Sequence, residues 1–208
     1  MNIRILVFAK APLPGRAKTR LEPALGAKGA AQLATAMLDG TLTHCLAAEL
    51  GPVELCMSPA PGHSDWRAFS LPAGLVQSDQ GDGDLGARMA RSAQRGLAQQ
   101  DAVILVGTDC PQLCVNLLQT AATRLARCDA LLHPTRDGGY ALLGLRRFSP
   151  TLFEHIPWST SQVASLTRQR LDALGWHWHE GETLQDIDEP GDLLQLPGRW
   201  MNHYAERM

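Results

Sequence analysis

The chain has 208 residues, of which 45% are hydrophobic and 19% charged, with 19 glycines and 13 prolines. This average composition fits one globular domain over residues 1–208 and excludes a collagen-like fibre, a coiled coil and a disordered tail. The formal net charge of −2 does not favour a broad cationic surface for duplex nucleic acid. The aromatic content of 5% does not favour stacking platforms for single strands. We therefore expect no nucleic-acid partner.

Short apolar runs and scattered cysteines favour a cytoplasmic protein. The runs at 5–9 and 103–106 are far shorter than the roughly 20 residues of a membrane-spanning helix, so we expect no membrane insertion. The segment Met1–Ile5 enters a strand-like run without the architecture of a signal peptide. The five cysteines are an odd number spread over predicted helices and strands, which favours reduced thiols over a disulfide framework.

Predicted strands and helices alternate along the chain. We predict strands at 3–8, 53–57, 74–77, 103–106, 130–133, 140–145 and 176–178, and helices at 27–50, 85–97, 111–125 and 162–174. This alternation predicts an α/β fold of three layers, in which helices cover both faces of a mostly parallel sheet. Ligands of such sheets bind beyond the carboxyl ends of the strands, where the chain order reverses. The loops after Phe8, Val106 and His133 are therefore the places to look for a site.

The loop after the first strand concentrates positive charge. Two prolines and a glycine disfavour regular structure between Lys10 and Arg20. Its cations are Lys10, Arg16, Lys18 and Arg20. Cations and free backbone N–H groups at the carboxyl end of a strand suit a diphosphate, although a solvated basic loop is the alternative. Because Pro12 and Ala17 stand where a P-loop requires glycine, the segment is not a P-loop.

The segment Gly81–Gly86 matches the pattern G-x-G-x-x-G and precedes a helix that Asp84 is placed to cap. Acidic residues lie where a pyrophosphate would approach, so a capped helix start explains the segment at least as well as a dinucleotide site. Arg88, one turn into the helix, could direct a cation toward a ligand.

Acidic residues follow the central strand and recur near the end of the chain. Asp109 comes directly after an apolar strand, where a hard divalent cation could bridge it to phosphate oxygens. The alternative role of Asp109 is the N-cap of a helix that begins near Pro111. Asp186 and Asp188 point the same way if their segment is extended. Asp188 could instead cap a final helix that Glu189 and Pro190 introduce.

The segment Asp137–Tyr140 is a turn that leads into a strand. Its two glycines would let a sugar or nucleotide approach the backbone closely, and a plain hairpin turn is the alternative. Cys110 and Cys114 lie one helical turn apart, but two ligands without a second pair make a poor zinc site.

Taken together, five segments of the chain resemble one family. They are 8–21, 83–89, 107–111, 137–140 and 186–193. In this order they are similar to the DUF2064 family, whose members are described as GT-A-type, nucleotide-diphospho-sugar transferase-like proteins. The first segment also resembles the phospholactate guanylyltransferases and the last the molybdopterin nucleotidyltransferases, which transfer nucleotidyl groups. Glu189 departs from the threonine usual among relatives, and this difference concerns helix capping.

The resemblance implies roles for individual residues. Asp109 resembles the metal aspartate of the superfamily and Asp188 the second, late acidic ligand, so Mg²⁺ or Mn²⁺ is the expected cofactor. Nucleotide or phosphate contacts are expected from Ala9, Lys10, Pro12, Gly15, Lys18, Arg20, Asp84 and Arg88, with Ala9 and Pro12 shaping the base pocket through backbone groups.

The expected function is therefore enzymatic. A metal-dependent glycosyltransferase would move a sugar from a nucleoside diphosphate-sugar to a small acceptor, and Asp137 would deprotonate the acceptor if transfer inverts the anomeric centre. One alternative is a nucleotidyltransferase that acts on a nucleoside triphosphate and a small phosphorylated acceptor and releases pyrophosphate. A non-catalytic nucleotide-binding module is a second, and NAD binding through Gly81–Gly86 is a third.

Overall fold

The apolar runs of the sequence form the central strands of a single seven-stranded sheet in the computed structural model, which describes residues 1–196. The strands are β1 (Ile3–Lys10), β2 (Val53–Ser58), β3 (Val76–Asp79), β4 (Ala102–Val106), β5 (Ala130–Pro134), β6 (Tyr140–Leu145) and β7 (Trp178–Glu180). The helices are α1 (Glu22–Ala47), α2 (Leu85–Leu97), α3 (Val115–Leu125) and α4 (Val163–Ala173). The last part of the predicted domain, residues 197–208, lies outside the described residues.

The seven strands are ordered β3-β2-β1-β4-β6-β5-β7. β1 is parallel to both β2 and β4, whereas β6 runs antiparallel to its neighbours β4 and β5. The chain order reverses between β1 and β4, because β2 and β3 extend the sheet on one side and the later strands extend it on the other. This is the position at which such sheets bind ligands.

Helices cover both faces of the sheet, because successive side chains of its apolar central strands point to opposite faces and both sets must be buried. Ile5 and Val7 of β1 pack with α1 and α3 in one apolar cluster. Leu6 packs with α2 and α4 on the opposite face. A smaller cluster joins α1 to Ile187 near the end of the described chain. The predicted three-layer α/β fold with a mostly parallel sheet is confirmed.

Two predicted helix boundaries differ from the structure by three residues or more. Within α1, the non-helical Gly26, with φ of 68° and ψ of 164°, separates a short first turn from the continuous helix, which starts at Ala27 as predicted but ends at Ala47 rather than Leu50. Helix α3 begins at Val115, so Pro111 lies in the turn before it and not in its first helical turn. Within the described residues, no helix is both long and apolar enough to cross a membrane.

Candidate active site

A cleft of about 480 Å³ opens at the carboxyl ends of β1 and β4. The last residue pair of the parallel ladder between these strands is Val7 with Val106. Lys10 and Asp109 each lie three residues beyond that pair, so the two chain segments leave the sheet at the same edge. Both residues line the cleft.

The ammonium group of Lys18 lies against the acidic side of the cleft. Its Nζ is 2.6 Å from Oδ1 of Asp109 and 3.5 Å from Oδ1 of Asp188. The same nitrogen donates a hydrogen bond of 2.6 Å to the carbonyl oxygen of Ile187. Burial of the ammonium opposes its charge, but Asp109 and Asp188 outweigh that effect and raise the pKa of Lys18. The lysine therefore stays charged and links two segments that are distant in sequence.

Asp188 is held at the cleft by the C-terminal segment and by Arg20. The N–H of Ile187 donates to the carbonyl oxygen of Asp109 at 3.0 Å, which ties this segment to the loop after β4. Nη1 of Arg20 lies 3.0 Å from Oδ2 of Asp188. The capping role considered for Asp188 is wrong, because Glu189 is the N-cap of the 3-10 turn that follows. Asp109 is not an N-cap either, since α3 begins six residues later.

Asp137 lies in the turn between β5 and β6 and also lines the cleft. Its Oδ1 accepts hydrogen bonds from the hydroxyl of Thr135 at 2.5 Å and from the N–H of Gly139 at 2.9 Å. The carbonyl oxygen of Gly138 accepts from the N–H of Ala164 at 2.8 Å, so the turn is fixed to the start of α4. This side chain is therefore held in a defined orientation.

The side of the cleft formed by the loops after β4 and β5 and by residues 186–188 is acidic. The carboxylates of Asp109, Asp137, Asp186 and Asp188 all line it. Burial, together with the charges of Asp137, Asp192 and Asp188, raises the pKa of Asp186 to about 6. A cation bound here would be stabilised by the same charges.

The predicted phosphate and nucleotide residues fall into two groups. Ala9, Lys10, Pro12 and Lys18 line the cleft, whereas Gly15, Arg20, Asp84 and Arg88 do not. Asp84 caps α2, because its Oδ1 accepts from the N–H of Ala87 at 2.8 Å. Nε of Arg88 donates to the carbonyl oxygen of Gly83 at 2.9 Å. The structure thus gives Asp84 and Arg88 local partners, and their contact with a nucleotide stays a prediction.

The glycine-rich segment is closed by an arginine of α2. Arg91 donates hydrogen bonds to the carbonyl oxygens of Gln80 and Asp82. A side chain at Gly81 would collide with this guanidinium group. β3 is moreover an edge strand, and of residues 81–86 the cleft is lined by Leu85 and by none of the glycines. These features argue against a dinucleotide site at Gly81–Gly86.

Several residues of the cleft were not singled out from the sequence. The side-chain amide of Gln80 donates to the carbonyl oxygens of Ala9 and Cys56, at 3.1 and 2.8 Å, and so fixes the end of β1. Trp158, in the loop before α4, packs edge to face against Tyr140 of the 137–140 motif, with ring centroids 6.4 Å apart. The alternation Asp-x-Asp did draw attention to Asp186, but no local pattern marks a single amide or an aromatic residue in a loop.

The donor set of the cleft fits a hard divalent cation that a ligand helps to hold. Among residues 1–196, no three His, Cys, Asp or Glu side chains are grouped so as to hold a metal ion by themselves. Mg²⁺ usually takes one or two protein carboxylates, completed by waters and substrate phosphates. Asp109 and Asp188 supply two such carboxylates, both in contact with the ammonium group of Lys18. Cys110 does not add a soft ligand, because burial and the nearby Asp109 raise the pKa of its thiol.

The sheet order and the position of the cleft define a fold shared with sugar-nucleotide transferases and cytidylyltransferases. A candidate nucleotide-diphospho-sugar transferase from Desulfovibrio desulfuricans G20 is 31% identical, with a TM-score of 0.82 over 91% of this chain and 84% of that one. The family model described as "uncharacterized protein conserved in bacteria (DUF2064)" matches residues 41–160. The chain belongs to the DUF2064 family, as its motifs predicted.

More distant structures share the fold alone. A CMP:2-keto-3-deoxy-manno-octonic acid synthetase in complex with CTP is 12% identical, with a TM-score of 0.59 and full coverage of both chains. Rv0371c from Mycobacterium tuberculosis H37Rv, in complex with manganese, is 19% identical, with a TM-score of 0.51 over 94% of this chain and 98% of that one. No curated protein matches the sequence.

Proposed function

We propose that the protein is a metal-dependent transferase that moves a sugar from a nucleoside diphosphate-sugar to a small acceptor. The observation that carries this proposal is the convergence of Lys10, Lys18, Asp109 and Asp188 in one cleft at the reversal of chain order. The cleft volume of about 480 Å³ falls within the range of small-molecule sites. The 31% identical relative, a candidate nucleotide-diphospho-sugar transferase, supports the same class of donor.

The residues of the cleft have distinct tasks in this reaction. Asp109 and Asp188 would hold Mg²⁺ or Mn²⁺, which would stabilise the negative charge of the leaving diphosphate. Lys10 is exposed in the cleft and would bind phosphate oxygens as a point charge. Ala9 and Pro12 lie beside it and would contact the base through their backbone groups. The remaining nucleotide residues proposed from the sequence are Gly15, Arg20, Asp84 and Arg88.

Asp137 is the proposed base for an inverting transfer. Its Oδ1 is engaged by Thr135 and Gly139, and within residues 1–196 no hydrogen bond to its Oδ2 is found. That oxygen is therefore available to accept the proton of an acceptor hydroxyl while the sugar is transferred.

A nucleotidyltransferase is the second candidate, since the same site suits a nucleoside triphosphate. Two lysines of one loop, Lys10 and Lys18, line the cleft and could bind the larger negative charge of a triphosphate. That reaction would release pyrophosphate rather than a nucleoside diphosphate.

The released product distinguishes the reactions. UDP-, GDP-, ADP-, CDP- and dTDP-sugars are first screened by thermal shift with and without Mn²⁺, and release of nucleoside diphosphate is then measured with small acceptors. Nucleoside triphosphates with phosphorylated acceptors are tested in parallel for pyrophosphate. Pyrophosphate release would overturn the glycosyl proposal, and nucleotide binding without turnover would indicate a non-catalytic binding module.

Substitution of Asp109 tests the metal assignment. Asp109→Asn removes the charge of one proposed ligand, so we expect the stabilisation by Mn²⁺ with a sugar nucleotide to be lost in thermal shift. Asp101→Asn is the matched control, because Asp101 lies at the opposite end of β4 and accepts from the N–H of Asn2. Equal shifts for Asp109→Asn and the wild type would exclude Asp109 as a ligand.

A further inference from the structure

The Lys18 ammonium lies between the two carboxylates that a divalent cation would use. The oxygens nearest to it are Asp109 Oδ1 at 2.6 Å, the Ile187 carbonyl oxygen at 2.6 Å and Asp188 Oδ1 at 3.5 Å. Only 5% of the lysine side chain is exposed, against 53% of the Asp109 side chain. Because a hard cation also takes oxygen ligands, the ammonium group and the metal ion compete for the same atoms.

The other cations of the loop do not share this arrangement. Nη1 of Arg16 contacts Asp65 at 2.8 Å. Arg20 is 64% exposed, and its one ion pair within the described part of the chain is with Asp188. Among residues 1–196, Lys10 has no hydrogen bond or ion pair through its side chain. Lys18 alone of these four contacts both proposed ligands.

The backbone at Lys18 also departs from its usual conformation. Its φ of 50° and ψ of 41° place it in the left-handed region, which few residues other than glycine adopt. Such conformations persist where surrounding contacts determine them, and they are frequent in sites that bind ligands. At Lys18 these contacts are those of the ammonium group with Asp109 and Ile187, together with the hydrogen bond that its carbonyl oxygen accepts from the N–H of Leu21 at 2.8 Å.

We propose that Lys18 is an internal counter-ion that occupies the cation position in the ligand-free protein. It is exchanged for a divalent cation when the nucleotide binds, and its ammonium group then binds the diphosphate. The exchange keeps charge balanced, because the metal replaces the ammonium beside the carboxylates while the phosphates provide a new partner for Lys18. This inference rests on the proposed function, and it implies that metal alone binds weakly and that metal and nucleotide bind cooperatively.

Titration with Mn²⁺ tests the exchange without an activity assay. The electron paramagnetic resonance signal of free Mn²⁺ is followed for the wild type, Lys18→Met and Lys28→Met, first without nucleotide and then with UDP or GDP. Lys28→Met removes the same charge from an exposed position on α1 that does not line the cleft. We expect Lys18→Met to bind Mn²⁺ alone on the order of ten-fold more tightly than the wild type, and Lys28→Met to match the wild type.

Further variants separate this role from a purely structural one. Lys18→Arg keeps the counter-ion and should retain the weak affinity of the wild type for Mn²⁺ alone. Lys18→Gln removes the charge but keeps a donor for the Ile187 carbonyl, and it replaces Lys18→Met if that variant does not fold by circular dichroism. Equal or weaker Mn²⁺ affinity in the charge-removed variant would overturn the exchange. If neither the wild type nor this variant binds Mn²⁺ with any nucleotide, the metal-dependent function itself fails.

Discussion

At the scale of single residues, Gly138 joins the Asp137 turn to the segment before α4. Its φ is 90°, and a Cβ atom added there would lie 2.2 Å from the carbonyl oxygen of Ser161. Both the backbone conformation and the close approach therefore require glycine. The position of the proposed base depends on this contact between two loops.

Gly138→Ala should lower the free energy of unfolding by about 2 kcal/mol or more, because it combines strain at positive φ with a backbone collision. Urea denaturation measures the change. Gly191→Ala is the matched control, since nothing lies within 4 Å of a Cβ atom built at Gly191. A loss confined to about 0.5 kcal/mol at Gly138 would show that the two loops move apart readily.

The charged residues of the site were easier to predict than the others. Lys18, Asp109 and Asp188, which line the cleft, were singled out because they follow a strand end closely or belong to a local motif, and their role as site residues stays a prediction. The pairing of Lys18 with both acids could not be predicted, since it depends on the path of residues 182–188 along the end of β5, where Leu184 bridges Thr135. Trp158 was not predicted, because the apolar residues around it do not recur with the period of a helix or a strand.

At the scale of elements, the strands and helices were predicted well where apolar residues recur regularly. All five residues of β4 are buried, and this apolar run was the clearest strand of the sequence. Helix α3 was predicted to begin near Pro111, because proline favours a first helical turn. The chain instead makes a turn at Cys110–Leu113, in which the N–H of Leu113 donates to the carbonyl oxygen of Cys110. The helix begins only at Val115.

The N-terminus of α2 offers a test of Asp84 that separates capping from nucleotide binding. Asp84→Ala removes the cap of the Ala87 N–H and should cost about 1 kcal/mol of stability in urea denaturation. Asp84→Asn keeps a capping oxygen and should cost much less. If both variants weaken nucleotide binding equally in isothermal titration, the charge of Asp84 contacts the ligand; if only the alanine variant does, Asp84 acts through the helix.

At the scale of the whole molecule, a buried carboxylate of β2 connects β1, the edge strand β3 and helix α2. Glu54 in β2 is 1% exposed and lies 2.7 Å from Nη1 of Arg4 in β1. It also accepts hydrogen bonds from Ser78 in β3 and Arg95 in α2. Burial would raise the pKa of Glu54, but these donors outweigh it and hold the pKa below its ordinary value.

The pH dependence of stability follows from this lowered pKa. A carboxyl group whose pKa is lower in the folded state stabilises the protein fully above its unfolded pKa of about 4.3 and loses that contribution as the pH falls through the folded value. Glu54→Gln should therefore cost about 3 kcal/mol at neutral pH and flatten the acid dependence of the urea midpoint. Glu180→Gln, in an exposed pair with Arg168, should change stability by less than about 1 kcal/mol. If the stability of Glu54→Gln still falls steeply in acid, other carboxylates are responsible for that loss.

The order of the strands was the part of the fold that the sequence did not define. Periodicity predicts that 140–145 is a strand, but not that it inserts between β4 and β5 in the antiparallel direction. The direction and position of a strand depend on which edges of the sheet are free when the strand joins it. The local sequence pattern carries no information on that. The insertion returns the Asp137 turn to the same edge as Lys10 and Asp109.

The pairing of β1 with β4 has a consequence during synthesis on the ribosome. Ile3 pairs with Ala102, so the first strand emerges long before one of its two central partners exists. Until β4 is made, β1 presents an apolar edge with β2 on one side only, which is a surface that favours aggregation. The cleft is completed later still, when Ile187 reaches the Asp109 carbonyl. A nascent chain therefore gains most of its sheet before this cleft is complete, and shorter chains carry the basic loop after β1 without Asp186 and Asp188.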